Sequence, residues 1–159
     1  MSLNGMIADK NGKEGFLSDK NWALFVKKAE ETGCFIVGRK TYEIFTRLKN
    51  YNFNKIKCKK IIVSKNTNSS NYTSASSPKN AIKIAKRLGF NNILLIGGAR
   101  LNTSFIQENL IDEIIINIEP TLLGEGIKLF SEKKFYKKLK LFKIKKLKSI
   151  IQLNYKIQK

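Results

Sequence analysis

Hydrophobic and polar residues alternate along the chain with two periods, one typical of helices and one of strands. Apolar residues recur at helical spacing over Trp22 to Thr32, after the N-cap candidates Ser18 and Asp19, and Gly33 ends the run. Similar patterns predict helices over 41–48, over 80–88 with Pro78 near its first turn and Gly89 as C-cap, and from the glycine pair at 97–98 to about 109.

Short apolar runs between these helices predict strands. They lie at 34–37, 60–63, 92–96 and 110–119. Residues 66–78 are rich in Ser, Asn and Thr and predict a loop, with a short strand at 72–75 left open. In the tail, 139–157, apolar residues at 151, 153, 155 and 157 alternate with polar ones, which predicts a β-hairpin with one face in the core. The alternation of helices and strands indicates one α/β domain over 1–159.

Composition narrows the possible functions. No apolar stretch is long enough to span a membrane, and the N-terminus lacks a secretory signal, so we expect a cytoplasmic protein. The chain has two cysteines, Cys34 and Cys58, without metal-ligand spacing, and it has no histidine, which excludes Ser-His and Cys-His nucleophile pairs. We therefore expect no metal and look to a bound cofactor for the chemistry.

The net charge of +19 would ordinarily suggest a polyanionic partner such as nucleic acid. However, 27 of the 31 basic residues are Lys and only four are Arg, the residue that reads base edges with a bidentate fork. The chain is also rich in Asn and Ile, as A/T-rich codons would produce. We therefore favour a solvated, codon-biased surface over a nucleic-acid partner.

Glycines, hydroxyls and cations follow three of the predicted strands. Gly97 and Gly98 end one strand just before a helix, where a phosphate could approach the backbone and the helix N-terminus. The second set is Gly38, Arg39, Lys40 and Thr41, and the third is Ser64 and Lys65. Each set alone could be ordinary polar residues at a tight turn. Together they favour a ligand site, because ligands of α/β sheets bind at the carboxyl ends of strands.

Several segments in order along nearly the whole chain resemble one family. SLNGMIA at 2–8, LIDEI at 110–114, EPTLLGEG at 119–126 and LF at 129–130 are similar to segments of the riboflavin-pathway reductases. GRKTYE at 38–43 resembles a segment of dihydrofolate reductase, and IGG at 96–98 resembles both. The tail QLNY at 152–155 also resembles the family's last strand. The chain is thus similar to the dihydrofolate reductase superfamily, and closest in pattern to its riboflavin-biosynthesis branch.

This resemblance implies a mostly parallel central sheet of about eight strands with flanking helices, the C-terminal antiparallel hairpin, and NADPH as cofactor. It implies that Arg39, Lys40, Thr41, Ser64 and Lys65 face the adenosine ribose and 2′-phosphate. It further implies that the pyrophosphate binds to the segment that begins with the glycine pair. The nicotinamide would bind to the SLNGMIA segment, and a mobile loop over 9–17 would lie beside the nicotinamide. The residues concerned are Gly97, Gly98, Ala99, Arg100 and Leu101 for the pyrophosphate, and Ile7 and Ala8 for the nicotinamide.

One departure separates the two branches. Dihydrofolate reductase uses a carboxylate on its first helix to bind the pterin, and that position falls at about Asn21 or Trp22 here, where no acid occurs. Asp19 lies nearly a turn too early. The resemblance therefore favours reduction of a phosphoribosylamino-pyrimidine, with dihydrofolate reduction, or another substrate for a reductase of this fold, as alternatives.

The substrate contacts are open to two interpretations. Trp22, Phe25, Tyr42 and Phe45 are candidates for the substrate wall, but aromatic residues at helical spacing are as often core residues. Asn4 replaces the family's Asp and is a further candidate. No catalytic residue is assigned. The resemblance also implies a homodimer, with the apolar hairpin as an interface candidate, and a first strand before residue 2 that is absent from this sequence.

Overall fold

The computed structural model describes residues 1–65 and 72–158 and contains helices and strands in alternation. The strands are β1 (Met6–Asp9), β2 (Cys34–Gly38), β3 (Lys59–Val63), β4 (Thr73–Ala75), β5 (Leu94–Leu95), β6 (Glu113–Ile118), β7 (Gly126–Lys128), β8 (Leu139–Leu147) and β9 (Ile150–Ile157). The helices are α1 (Asp19–Thr32), α2 (Arg39–Arg47), α3 (Pro78–Arg87) and α4 (Ala99–Gln107), with one 3₁₀ turn at Phe53–Lys55. None of the helices in these ranges is long and apolar enough to cross a membrane.

The ends of α1 are those that the sequence predicts. Ser18 accepts a hydrogen bond from the Asn21 backbone N–H, and Gly33 adopts a φ of 74°, where its N–H donates to the carbonyls of Ala29 and Glu30. Helix α2 begins at Arg39, two residues before the predicted start, because the backbone becomes helical directly after Gly38. Helix α3 has Pro78 in its first turn, as expected, and its N-cap is Ser77.

Four strands form a parallel sheet in the order β4-β3-β2-β5. Strand β4 confirms the short strand within the predicted loop, whereas residues 66–71 of that loop lie outside the described part of the chain. Both faces of β2 are buried. Phe35 and Val37 pack with α1 and α2, while Cys34 and Ile36 pack with α3 and α4. This two-sided core brings the carboxyl ends of β2, β3 and β5 to one edge.

The expected single sheet of about eight mostly parallel strands is not confirmed. Beyond the four parallel strands, β6-β9-β8 form an antiparallel sheet, and β1 pairs antiparallel with β7. The loop expected over 120–126 is followed by the unpredicted strand β7. Apolar runs mark where strands lie, but they do not determine which strand each one pairs with, so the expectation overestimated the parallel part.

The C-terminal hairpin β8-β9 is confirmed, but its apolar face is exposed. Residues directly opposite in an antiparallel pair share a face, so Leu153 lies beside Ile144 and Ile116. On this face Ile144 is 61% exposed and Ile151 is 45% exposed. The other face carries Gln152, whose Nε2 donates to Oδ1 of Asn117 at 2.8 Å. The prediction that the apolar face lies in the core therefore holds only in part for a single chain, because Leu153, Tyr155 and Ile157 are half-buried and Ile151 is exposed.

Candidate functional site

A groove of about 1100 Å³, here called the basic groove, runs along the carboxyl edge of the parallel sheet. The groove is formed by the three turns that follow β2, β3 and β5. These turns carry the three predicted sets of glycines, hydroxyls and cations. Its lining comprises Gly38, Arg39, Lys40, Thr41, Glu43, Val63, Ser64, Lys65, Tyr72, Ser76, Gly98, Ala99, Arg100, Leu101, Ser104, Ile127 and Ser131.

Backbone contacts bring two of these turns together. The Gly38 N–H donates to the Gly97 carbonyl at 2.9 Å, and the peptide bond between Gly97 and Gly98 is cis. A Cβ at Gly98 would lie 3.1 Å from the Thr41 hydroxyl oxygen, so this position has little room for a side chain. Gly98 is also the N-cap of α4 and provides no side-chain cap, which leaves N–H donors of the first turn available to an anion.

Four cations line the basic groove: Arg39, Lys40, Lys65 and Arg100. The guanidinium of Arg39 donates to Oε1 of Glu43, one helical turn along α2, at 2.7 Å. Glu43 also lines the groove, so it holds the Arg39 side chain at the groove wall and offsets part of the positive charge. The groove is basic overall and suits an anionic ligand.

All the predicted cofactor residues line the basic groove except Ile7, Ala8 and Gly97. Gly97 contacts the turn after β2 through its carbonyl, which accepts the hydrogen bond from the Gly38 N–H. Ile7 and Ala8 lie in β1, where Ala8 is buried and pairs with Ile127, a residue of the groove lining. Their assignment to the nicotinamide remains a prediction.

A second cavity, of about 610 Å³ and here called the apolar cavity, adjoins the groove. Thr41 lines both spaces. The lining comprises Asn11, Gly12, Lys13, Glu14, Gly15, Leu17, Ser18, Asn21, Trp22, Phe25, Thr41, Ile44, Phe45, Leu48, Tyr51, Phe53 and Ile96. A long ligand in the groove can therefore place one end beside a smaller molecule in the cavity.

Aromatic rings form one wall of the apolar cavity. The rings of Trp22 and Phe45 are stacked with centroids 6.0 Å apart, and those of Phe45 and Phe53 are stacked at 4.5 Å. Trp22, Phe25 and Phe45 thus pack in the core and also line the cavity, and their role as a substrate wall stays a prediction. Tyr51 adds a hydroxyl, which donates to the carboxylate of Asp19.

The other two predicted substrate residues lie outside the lining of both cavities. The hydroxyl of Tyr42 donates to Asn54 at 3.1 Å, and its ring contacts Tyr72. The amide of Asn4 donates to the Leu123 carbonyl at 2.7 Å, and its oxygen accepts from Ser2 at 2.9 Å. Asn4 therefore joins the start of the chain to the loop after β6 through a hydrogen bond.

Sequence reasoning did not identify Glu119, which follows β6. It is buried, and its Oε1 accepts from the N–H and Oγ of Ser18 at 3.0 and 2.8 Å and from Nδ2 of Asn21 at 2.9 Å. Burial alone would raise the pKa of Glu119, but these hydrogen bonds outweigh it and lower the pKa below its ordinary value. Asn21 in turn accepts from Asn117 at 3.1 Å, so a polar network joins α1 to β6.

Sequence reasoning also did not identify Glu14, in the loop between β1 and α1. This residue lines the apolar cavity, and desolvation raises the pKa of its carboxyl to about 7. The sequence marked this loop only by its glycines, and no local pattern shows which of its side chains turns toward the cavity. Within the described ranges, no cluster of three or more His, Cys, Asp or Glu residues could hold a metal ion.

The sheet, the groove and the adjoining cavity define the class of protein, an α/β fold with a ligand site at the carboxyl ends of its parallel strands. The chain belongs to the family of the RibD C-terminal domain, whose model matches residues 1–153. The family resemblance of the sequence segments is thereby confirmed.

Relatives and solved structures agree with this assignment. The chain is 43% identical over 65 residues to YwjB of Bacillus subtilis, covering 41% of this chain and 37% of YwjB. It is 37% identical over 51 residues to the riboflavin biosynthesis protein RibD of Aquifex aeolicus, covering 32% of this chain and 14% of RibD. The matches thus span less than half of these two relatives.

Among solved structures, a "Putative riboflavin biosynthesis protein" of Shewanella sp. PV-4 superposes with a TM-score of 0.81 at 25% identity, covering 100% of this chain and 96% of that one. A diaminohydroxyphosphoribosylaminopyrimidine deaminase/5-amino-6-(5-phosphoribosylamino)uracil reductase of Thermotoga maritima superposes with a TM-score of 0.73 at 16% identity, covering 99% of this chain and 54% of that one. The second likeness concerns the fold alone.

Proposed function

We propose that this chain is an NADPH-dependent reductase that transfers a hydride to the ribosylamino group of a phosphoribosylamino-pyrimidine. The observation that carries the proposal is the junction of the basic groove with the apolar cavity at Thr41. A dinucleotide is long enough to lie along such a groove and present its reactive end to a neighbouring cavity, where orientation supplies much of the rate.

The groove residues suit NADPH. Arg39, Lys40 and Lys65 offer charge to the adenosine 2′-phosphate, with Thr41 and Ser64 on the ribose side. The residues from Gly98 to Leu101 offer the uncapped N-terminus of α4 to the pyrophosphate. The narrow space at Gly98 supports a close approach of phosphate to backbone. When bound, NADPH would supply the hydride.

The apolar cavity suits a planar heterocycle better than a folate. Its aromatic wall offers stacking surfaces to a pyrimidine ring. The α1 positions that face it, Asn21 and Trp22, carry no acid. Asp19, the acid of the first turn, does not line the cavity and accepts a hydrogen bond from Tyr51. This absence favours the riboflavin-type substrate over dihydrofolate.

Turnover assays test the assignment. We expect NADPH consumption with 5-amino-6-(5-phosphoribosylamino)uracil and none with dihydrofolate, and no effect of methotrexate on NADPH binding. Turnover of dihydrofolate that methotrexate blocks would instead support the folate alternative.

The assembly we propose is a homodimer formed through the apolar face of the β6-β9-β8 sheet. Leu139, Leu141 and Ile144 lie on this face of the edge strand β8 and are each more than two-fifths exposed. A second copy of the same face would cover them, because a two-fold interface joins one patch to itself.

A further inference from the structure

The apolar cavity contains few groups that can exchange a proton. Of the residues in its described lining, only Lys13, Glu14 and Tyr51 have ionisable side chains. Reduction of a carbon–nitrogen double bond consumes a proton as well as a hydride, so the source of the proton matters to the mechanism proposed above.

Two of these three groups are poor candidates. The Tyr51 hydroxyl already donates to Asp19, and this hydrogen bond raises the pKa of Tyr51, so its proton is held more tightly. The side chain of Lys13 is exposed to solvent, so the cavity does not enclose it. The carboxyl of Glu14 is partly buried, and within the described chain its side chain forms no hydrogen bond or ion pair.

The backbone on both sides of Glu14 is held in place. Asp9 accepts from the N–H groups of Asn11 and Lys13 through Oδ1, each at 2.8 Å, and its own N–H donates to the Lys13 carbonyl at 2.9 Å. The Glu14 carbonyl then accepts from the Leu17 N–H at 3.0 Å. These bonds fix the backbone of the loop from which the side chain of Glu14 lines the apolar cavity, together with the aromatic residues.

We infer that Glu14 is a catalytic residue, whose carboxyl gives the proton that accompanies hydride transfer in the apolar cavity. This inference rests on the proposed reductase function. The ribosylamino group has a C=N bond only in its open-chain imine form, in which the bond from the sugar carbon to the ring oxygen is broken and the amine proton has passed to that oxygen. Bound NADPH would supply the hydride to this carbon, and the π electrons of the C=N bond would move to nitrogen. The nitrogen takes the proton of Glu14, which leaves NADP⁺, the reduced amine and a carboxylate that regains a proton from solvent.

The environment of Glu14 keeps a substantial fraction of this carboxyl protonated at neutral pH. Desolvation raises its pKa to about 7, and the positive charge of the Met1 amino group opposes the shift. The other charged or ionisable groups of the surrounding elements include Lys13, Asp9, Tyr51 with its partner Asp19, and the hydrogen-bonded Glu119. Because the protonated form is the active one, turnover falls as the pH rises through the pKa of Glu14.

The test compares Glu14→Gln with Glu14→Asp and with Glu31→Gln, a matched change of an exposed glutamate on α1. NADPH binding reports whether each variant folds, and kcat is measured against pH with 5-amino-6-(5-phosphoribosylamino)uracil. We expect Glu14→Gln to lower kcat about 10²- to 10⁴-fold, to abolish the decline near neutral pH and to bind NADPH as the wild type does. Glu14→Asp should restore part of the rate, and Glu31→Gln should change nothing.

A second readout does not depend on turnover. The side-chain carboxyl carbon of Glu14, assigned by its absence in Glu14→Gln, is followed by NMR against pH in the NADP⁺ complex. A midpoint near 7 supports the inference, even if the wild type does not reduce this substrate and the proposed substrate is wrong. A midpoint near the ordinary value of about 4.5, or a Glu14→Gln enzyme with wild-type kcat and pH profile, overturns it.

Discussion

Glu14 and Glu119 are two carboxylates near the apolar cavity whose surroundings differ in the number of hydrogen-bond donors. Glu119 has three donors and becomes a stronger acid, whereas Glu14 is desolvated without such partners and becomes a weaker one. Glu119 therefore suits the role of a fixed negative charge at the start of α1, where the helix dipole favours an anion. Glu14 suits the role of a group that exchanges a proton.

Glu14→Gln is expected to stabilise the protein in alkaline solution. Since the folded-state pKa of Glu14 is raised, its contribution to stability is complete below about pH 4.5 and is lost as the pH rises through about 7. Above that pH the wild type must bury a carboxylate, which the amide avoids. Urea unfolding should show the variant more stable by roughly 2 kcal/mol at about pH 8 and equal to the wild type near pH 4.5. Equal stability of the two proteins at both pH values would contradict this.

Glu119→Gln is expected to have the opposite pH dependence. The folded-state pKa of Glu119 is lowered, so its stabilisation is present above its unfolded-state pKa and is lost as the pH falls through the folded value. The variant should lose about 1–3 kcal/mol of unfolding free energy near pH 7 and less near pH 3. Glu125→Gln is the matched control, because Glu125 is exposed and its carboxylate pairs with Lys10 at the surface. A loss as large in the control would refute the role of the buried network.

At the scale of single residues, the sequence predicts the place of those site residues that have a distinctive local chemistry. Gly98, Arg39 and Lys65 follow strands and lie in the basic groove where the pattern placed them. Glu14 and Glu119 have no such local signal, since their roles depend on contacts with Ser18, Asn21 and the aromatic wall. Those contacts join segments about a hundred residues apart in the case of Glu119.

At the scale of the elements, the close packing of α2 against the turn before α4 shapes the basic groove. Gly98→Ala would bring a Cβ to 3.1 Å from Thr41, at the point where the two turns meet. We expect about a tenfold or greater increase in the Kd of NADPH, with little change in Tm. Gly124→Ala is the control, since a Cβ there meets no atom within 4 Å. Unchanged NADPH affinity in Gly98→Ala would show that the cofactor does not approach this backbone.

The positions of the helices and strands were easier to predict than the pairing of the strands. Ser18 marks the start of α1 and Pro78 the first turn of α3 in the sequence itself, and the structure has both there. The partners of β6 and β9 depend on long-range hydrogen bonds, which a period-two pattern does not encode. The same limit explains why the exposed side of β9 was assigned to the core.

At the scale of the whole molecule, the exposed apolar face of the β6-β9-β8 sheet has a measurable consequence. Ile144→Lys places a charge in the centre of the proposed dimer interface, where its desolvation is costly. Light scattering should give a dimer mass for the wild type and a monomer mass for the variant. Leu88→Lys, an equally drastic change at an exposed leucine after α3, should remain dimeric. A monomeric wild type at micromolar concentration would contradict the dimer.

The central claim, an NADPH site in the basic groove, is tested most directly by cofactor titration. Trp22, the only tryptophan, lines the adjoining cavity, so its fluorescence reports binding of NADPH or NADH. We predict that NADPH binds about tenfold or more tightly than NADH, and that Arg39→Ala removes most of this preference while Arg47→Ala, on the same helix outside the groove, preserves it. Equal affinity for both cofactors, unaffected by Arg39→Ala, would contradict the account.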